Sequence, residues 1–231
     1  VGPEVSVFAA VVDDKYLIFT PARDYKRALD GDQGPNTGGM GAVASRQLVS
    51  QELLSQIEQS IVKPTVDGLV KDGLPYRGFI YFGLMITESG PKIIEYNCRF
   101  GDPECQAVMP IVGGDLAQFC FDGAKGELNA DLLKFSEGWS VCLVRASAGY
   151  PETSRNGDVI SGFDDVEGAR VYHAGTRKNS AGDWETNGGR VLAVVAGGGD
   201  RASAVKAAYA QLEKVTFPGM QSRSDIGTFN F

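Results

Sequence analysis

The feature that most restricts the fold is the apolar run Gly78-Phe-Ile-Tyr-Phe-Gly-Leu-Met-Ile-Thr87 and the segment it turns into. A run this short, rich in β-branched and aromatic residues, reads as a strand buried on both faces. Glu88-Ser-Gly-Pro91 then reverses the chain into Lys92-Ile-Ile-Glu-Tyr-Asn-Cys-Arg-Phe-Gly-Asp-Pro-Glu104, whose strand character ends at Gly101 and Pro103. The two segments are expected to form a central, buried hairpin. Alternation along the second puts Glu95, Asn97 and Arg99 on one face and Ile94, Tyr96 and Cys98 on the other. A carboxylate and an amide oxygen are ligands that Mg²⁺ takes alongside phosphate and water. An arginine one step on can grip a phosphoryl group through two hydrogen bonds. The same spacing also fits a half-solvated edge strand carrying ordinary polar residues.

The chain before this hairpin has three parts. Val5-Ser-Val-Phe-Ala-Ala-Val-Val12 and Lys15-Tyr-Leu-Ile-Phe-Thr20 read as strands joined by a turn at Asp13-Asp14. Asp24 to Ala42 reads as a long loop, and its cluster Gly34-Pro-Asn-Thr-Gly-Gly-Met-Gly41 can present several backbone N–H groups to an anion. It is not a Walker loop, because no Gly-Lys-Ser/Thr follows, and a plain flexible loop fits it as well. Ser50 to Asp72 reads as a helix capped by Ser50, with Leu53, Leu54, Ile57, Ile61, Val66, Leu69 and Val70 on its apolar stripe. Pro64 predicts a kink or break within it.

After the hairpin, Asp115 to Leu128 reads as an amphipathic helix, and the shift in composition over 127–138 marks a domain boundary. Strands are expected at 139–147, 158–161, 169–176 and 190–196, joined by Gly/Asn/Pro turns. Asp200 or Ser203 caps a last helix with Val205, Ala208, Tyr209, Leu212 and Val215 on its stripe. The single histidine, His173, has no cysteine or second histidine near it in sequence and reads as structural rather than as a ligand.

Composition narrows the partners. The net charge of −7 and the pI of about 4.8 argue against nucleic acid or an anionic membrane as a main partner. No apolar run approaches the roughly 20 residues of a membrane span, and no signal peptide is evident. Cys98, Cys105, Cys120 and Cys142 are widely spaced, which fits thiols in a reducing compartment better than a zinc site or a disulfide framework.

Two motifs taken together are far more specific than either alone. Asp24-Tyr-Lys-Arg-Ala-Leu-Asp-Gly-Asp-Gln-Gly-Pro-Asn-Thr-Gly-Gly-Met-Gly-Ala42 followed by Ile94-Glu-Tyr-Asn-Cys-Arg-Phe-Gly-Asp-Pro-Glu104 resembles the glycinamide ribonucleotide synthetases. These are the phosphoribosylamine–glycine ligases of purine synthesis, members of the ATP-grasp superfamily. Ala148-Gly-Tyr-Pro151, Tyr172-His-Ala-Gly-Thr176, Thr186-Asn-Gly-Gly-Arg-Val-Leu192 and Arg223-Ser-Asp-Ile-Gly227 extend the resemblance in order along the chain. The ending Thr228-Phe-Asn-Phe231 departs from the basic ending expected of the family.

The resemblance implies an α+β fold. A larger ATP-grasp subdomain, an antiparallel sheet with flanking helices, is expected over 1–136, and a small mixed β/α C-terminal domain over 137–231. The chain resembles only the second half of the family plan. The N-terminal Rossmann-like domain and the ATP lid are not matched, and the adenine-reading hinge is expected just upstream of Val1. The implied reaction joins glycine to 5-phosphoribosylamine through glycyl phosphate, giving glycinamide ribonucleotide, ADP and phosphate. ATP is the co-substrate and Mg²⁺ or Mn²⁺ the cofactor, in a cytoplasmic and monomeric ligase.

Carried over by position, the family pattern makes Glu95 and Asn97 the metal ligands. Glu4 accepts from the ATP ribose hydroxyls, and Arg99 contacts ATP and neutralises the transferring phosphoryl group. Asp102 has a catalytic or substrate-binding role, and Glu104, Asn36, Thr37, Gly38, Gly39 and Gly41 line the substrate site. Lys26 and Arg27 are candidates to meet a phosphate. Because the lid and hinge of the family are not matched, the chain as it stands is expected to be inactive, a folded fragment or structural module; the other competing expectation is another purine-pathway ATP-grasp carboxylate–amine ligase.

Overall fold

The computed structural model describes residues 2–229. Its strands begin with β1 (Glu4–Val12), β2 (Lys15–Ile18), β3 (Ala22–Asp24), β4 (Arg27–Leu29), β5 (Gln33–Asn36) and β6 (Gly41–Ala44). A helical segment follows, made of α1 (Gln51–Ile57), a π-helical turn (Glu58–Val62) and α2 (Lys63–Lys71). Next come β7 (Arg77–Thr87), β8 (Gly90–Asn97), α3 (Glu104–Val108), β9 (Val112–Gly114), α4 (Leu116–Lys125) and β10 (Leu133–Phe135). The chain continues through β11 (Trp139–Ala146), β12 (Arg170–His173), β13 (Thr176–Lys178), β14 (Trp184–Thr186), β15 (Arg190–Gly198) and α5 (Arg201–Leu212).

One antiparallel sheet organises these elements, in the order β12-β15-β11-β6-β3-β1-β7-β8, with β2 also paired to β1. Alternation along the strands sorts the core. Val5, Val7, Ala9 and Val11 of β1, with Ile80, Phe82 and Leu84 of β7, pack under Ile57, Ile61, Val62 and Val66 of the helical segment. Phe8 and Ala10 point the other way, into a cluster with Phe19, Tyr81, Ala107, Val108 and Phe119. Towards the opposite end of the sheet, Val141, Leu143, Leu192 and Val194 pack against Ala204, Ala208 and Leu212 of α5. Asp200 caps α5 by accepting the Ser203 amide at 2.8 Å, and Ser50 caps α1 through the Leu53 amide at 3.1 Å.

Three expectations need correction. The hairpin β7–β8 is not central, because β8 is the outermost strand, with Ile94 45% and Tyr96 51% exposed. Its polar row therefore lies on an edge rather than in a buried hairpin, and a bulge opposite Gly83/Leu84 leaves Ile94 out of the pairing register. The segment Asp24–Ala42 is not a plain loop, since β4 and β5 form a small hairpin within it and β6 starts at Gly41. Pro64 does not break the helix. The turn ahead of it widens so that the Lys63 amide bonds Glu58 O, five residues back, and Pro64 then stands in the first turn of α2, where its missing N–H is tolerated.

Elsewhere the strand at 158–161 is reduced to isolated bridges from Val159 to Glu185 and from Ser161 to Thr216. The sheet runs continuously through the β6–β11 pairing, so strands from both halves of the chain share one layer. No helix among the described residues is long and apolar enough to cross a membrane. Asn230 and Phe231, within the divergent ending, lie outside the described residues.

Candidate active site

The site lies where the apolar face of Phe8 and Ala10 gives way to polar residues. Register places Ser6 opposite Gly83 and Ala22, Tyr81 opposite Asn97, and Gly83 opposite Glu95. Paired residues share a face, so Glu4, Ser6, Asp24, Tyr81, Glu95 and Asn97 stand on one side of the sheet. Gly83 is small for a reason visible here: a Cβ on it would sit 2.9 Å from Glu95 Cγ and 3.1 Å from the Tyr81 ring.

Glu104, the first residue of α3, reaches this face with only 3% of its surface exposed and accepts a hydrogen bond from Ser6 Oγ at 3.1 Å. Its carboxylate lies against Gly101, where a Cβ would collide with it. Lys26 Nζ donates to Glu4 Oε2 at 3.0 Å. Four carboxylates (Glu4, Asp24, Glu95 and Glu104) thus share their surroundings with one ammonium, and the titration of Asp24, Glu104 and Lys26 reflects it. Burial, then Glu104, push Asp24 up to about 7 despite Lys26. Burial likewise raises Glu104, although its own amide and Ser6 stabilise the charged form. Burial opposes the charge on Lys26, but Asp24, Glu4 and Glu95 outweigh it and raise its pKa.

Such an oxygen-rich, acid-heavy pool favours a cation. Among the described residues no three His, Cys, Asp or Glu side chains are arranged to enclose a metal ion. Mg²⁺ in general takes one or two protein oxygens and fills its shell with phosphate and water. Glu95 and Asn97 fit that part, as alternate residues of β8 on the acidic face.

Arg99 lies elsewhere. β8 ends at Asn97, so alternation no longer governs Arg99, whose Nη1 donates to Phe100 O at 2.8 Å. Phe100 anchors this bend, with its ring 4.9 Å from Phe8, 5.5 Å from Phe19 and 4.7 Å from Phe79. That partly buried ring packs the loop against the sheet and leaves Arg99 and Asp102 on the surface of a second cavity. This cavity, about 850 Å³, is lined by Gly38, Arg99, Asp102, Gln106, His173 and Arg190, among others. Asp102 pairs with Arg190, Oδ1 to Nη1 at 3.0 Å.

The glycine-rich segment is tied down rather than open to an anion. The Gly38 amide donates to Tyr150 Oη and the Gly39 amide to Thr37 Oγ1, each at 2.9 Å. The Thr37 amide and hydroxyl both go to Lys26 O, at 2.7 and 2.8 Å, and Gly41 is paired within the sheet to Leu143. Gly38 alone of these lines the second cavity. Asn36 lines a third, of about 450 Å³, together with Glu4, Asp24, Lys26 and Arg27. The structure thus brings Glu4, Glu95, Asn97 and Glu104 to one face, and Arg99, Asp102 and Gly38 to one cavity.

Sequence reasoning missed Asp24, Ser6 and Tyr81 in the first group and Arg190 in the second. Asp24 is the first residue of the motif Asp24–Ala42, and Arg190 sits inside Thr186-Asn-Gly-Gly-Arg-Val-Leu192, so both lay in segments already singled out. His173 lines the second cavity as well. Its ring is held by Trp184 at 4.4 Å and Phe163 at 5.0 Å, and burial lowers its pKa.

Comparison with known proteins shows the family. The model of the phosphoribosylglycinamide synthetase ATP-grasp (A) domain matches residues 1–105, and that of the phosphoribosylglycinamide synthetase C domain matches residues 140–229. The chain is 41% identical over 225 residues to a phosphoribosylamine–glycine ligase of Caldanaerobacter subterraneus, covering 97% of this chain and 54% of that one. It therefore spans about half the length of the curated relatives it matches. A crystal structure of phosphoribosylamine–glycine ligase from Thermotoga maritima superposes with a TM-score of 0.88 at 36% identity, covering 98% of this chain and 56% of that one. The biotin carboxylase domain of Hydrogenobacter thermophilus 2-oxoglutarate carboxylase, solved with MgADP and bicarbonate, shares the fold. Its TM-score is 0.66 at 16% identity, covering 95% of this chain and 46% of that one.

Proposed function

Because this chain belongs to the phosphoribosylglycinamide synthetase family, with the ATP-grasp and C domains of that family matched along it, we propose that it serves an ATP-dependent ligase joining glycine to 5-phosphoribosylamine. The observation that carries the proposal is the placement of Glu95 and Asn97 on the acidic face of β8. We set the ATP-grasp part at 1–136 and the C domain at 137–231.

In this reading a glycine carboxylate oxygen attacks the γ-phosphorus of ATP, and the bond to the β-phosphate oxygen breaks to release ADP. The amine nitrogen of 5-phosphoribosylamine then attacks the carbonyl carbon of glycyl phosphate. Phosphate leaves, the nitrogen gives up a proton, and the amide remains. Glu95 and Asn97 would hold Mg²⁺ or Mn²⁺, which when bound neutralises phosphate charge. That a domain of this fold has been crystallised with MgADP accords with this choice.

Each remaining residue has a physical task. Glu4 accepts from ribose hydroxyls while Lys26, its partner, faces the phosphates. Arg99 offsets charge on the transferring group, in a site where fixed dipoles and charges count for more than in water. Asp102 holds Arg190 in place, and Glu104 fixes the Gly101 turn, so neither needs to act as a nucleophile. Catalysis by positioning and charge neutralisation suits phosphoryl transfer.

The test is phosphate release from ATP by the protein. It should require glycine, 5-phosphoribosylamine and a divalent cation together. Release that proceeds equally with a different carboxylate or amine would replace this reading with that of another ATP-grasp ligase.

A further inference from the structure

The third cavity, of about 450 Å³, takes its lining from two sources: Glu4 and Asp24 of the main sheet, and Lys26, Arg27, Asp32 and Asn36 in or beside the β4–β5 hairpin. The two sources differ in how firmly they are held. β4 and β5 form a two-stranded sheet of their own, and every residue of β5 is exposed. A two-stranded hairpin is marginal by itself in water, so its place has to be fixed from elsewhere in the chain.

The segment that fixes it is Arg223–Asp225. Arg223 is 2% exposed, with its guanidinium 5.0 Å from the centre of the Tyr25 ring. Its Nη1 donates to Asp32 Oδ1 at 2.8 Å and to Arg27 O at 3.2 Å, while Nε and Nη2 grip the Asp225 carboxylate, each at 2.7 Å. Asp225 Oδ2 in turn accepts the Gly31 amide at 2.8 Å. Asp30 accepts the Ser224 amide at 2.8 Å and also bonds its hydroxyl. The turn held in this way has left-handed backbone at two successive residues, Gly31 with φ +67° and Asp32 with φ +54°. Such a conformation at a non-glycine residue is sparsely populated and persists where its surroundings over-determine it.

The same segment is anchored in the C domain. The Tyr209 hydroxyl of α5 donates to Arg223 O at 3.1 Å and accepts the Ile226 amide at 2.9 Å, and Ile226 is buried in the core that α5 packs on. A planar guanidinium can meet two carboxylates and a carbonyl at once, which a single ammonium cannot.

We propose that Arg223 is a positioning residue for nucleotide binding: from outside the cavity wall it holds Asp32 and the Arg27 carbonyl, and so sets where Lys26, Arg27 and Asn36 stand. The C domain thereby tunes the affinity of the ATP-grasp part for nucleotide phosphates. The assignment rests on the reading above, in which Lys26 faces the phosphates of ATP. A purely structural Arg223 changes how much of the protein is folded. A positioning Arg223 changes how tightly the folded protein binds.

Isothermal titration of the protein with MgADP, without glycine or 5-phosphoribosylamine, separates the two, because a lower folded fraction reduces the stoichiometry whereas misplaced groups raise Kd. Arg223→Gln should raise Kd at least about fivefold. Val215→Ala, which hollows the same C-domain core, should lower the thermal midpoint and leave Kd unchanged. If Arg223→Gln does not fold, Asp225→Asn takes its place, since Asp225 grips the guanidinium from outside the cavity lining. Its Kd should rise at least about threefold.

An unchanged Kd in the folded variant overturns the assignment. So does an equal rise in Val215→Ala, or a wild type that binds no MgADP. Binding needs no turnover, so the two proposals fail separately. Glycine-dependent phosphate release with Kd unmoved by Arg223→Gln refutes only the positioning role, whereas a raised Kd without glycine-dependent release refutes only the reaction.

Discussion

Replacing Asp24 by asparagine probes the acidic face directly. Burial, and after it Glu104, push the Asp24 carboxyl up to about 7 from 3.8. Between those values the native state keeps a proton that the unfolded chain has released. Stability from this group is therefore fully present below the unfolded value and is lost as pH rises through the folded one. At about 1.4 kcal/mol for each tenfold change in proton affinity, the full loss is about 4 kcal/mol. About 2.5 kcal/mol of it falls between pH 5 and 8.

Solvent reaching the half-buried carboxylate reduces that share to about 1–2 kcal/mol. Asparagine has the shape of the protonated acid and cannot ionise. The stability gap between Asp24→Asn and the wild type should therefore widen in favour of the variant by about 1–2 kcal/mol from pH 5 to pH 8. For a chain of this size that is roughly 2–8 °C in Tm. Thermal melts followed by circular dichroism in low salt with chelator give the number. Added Mg²⁺ should narrow the gap, because a cation stabilises the ionised carboxylate. A gap that stays constant or shrinks across this pH range without the cation would refute the electrostatic account of the pool.

Two other substitutions test the scaffold. Gly39 has φ +111°, and a Cβ there would collide with Pro103 Cδ. Gly39→Ala should therefore cost at least about 2 kcal/mol, against about 1 kcal/mol for Gly31→Ala, whose φ of +67° is strained but whose surroundings are open. Chemical denaturation of the two variants ranks them, and equal costs would contradict the close approach of the two loops. Arg223, 2% exposed, donates to Asp225 twice at 2.7 Å, to Asp32 at 2.8 Å and to Arg27 O at 3.2 Å, clamping the β4–β5 hairpin. Arg223→Met should cost about 2–4 kcal/mol and speed proteolysis within 27–36; unchanged cleavage there would show that Ser224 with Asp30 holds the hairpin alone.

What could be read from the sequence followed alternation and local turn chemistry. Val5 to Val12 read as a strand and lie within β1, and Ser50 and Asp200 marked the helix starts where they occur. Position within the sheet was not legible, since a strand with Ile93, Ile94 and Tyr96 reads the same at an edge as in the middle. The bulge that drops Ile94 from register depends on what Gly83 faces across the pair, which no local pattern encodes. The glycine-rich segment looked like an anion cradle because its amides had no visible partner in sequence. Their actual partners, Tyr150 Oη and Lys26 O, are brought in by the fold. Arg190 stayed hidden for the same reason, because its significance comes from Asp102 and Gly38, far away along the chain.

The claim that organises all of this is that Glu95 and Asn97 hold the divalent cation on the acidic face of β8. Phosphate release dependent on glycine and 5-phosphoribosylamine, measured against free Mg²⁺ for the wild type and Glu95→Gln, tests it most directly. The account predicts that Glu95→Gln folds normally by circular dichroism but needs at least about tenfold more Mg²⁺ for half-maximal activity. A Glu95→Gln protein with the wild-type rate and the wild-type Mg²⁺ dependence would contradict it.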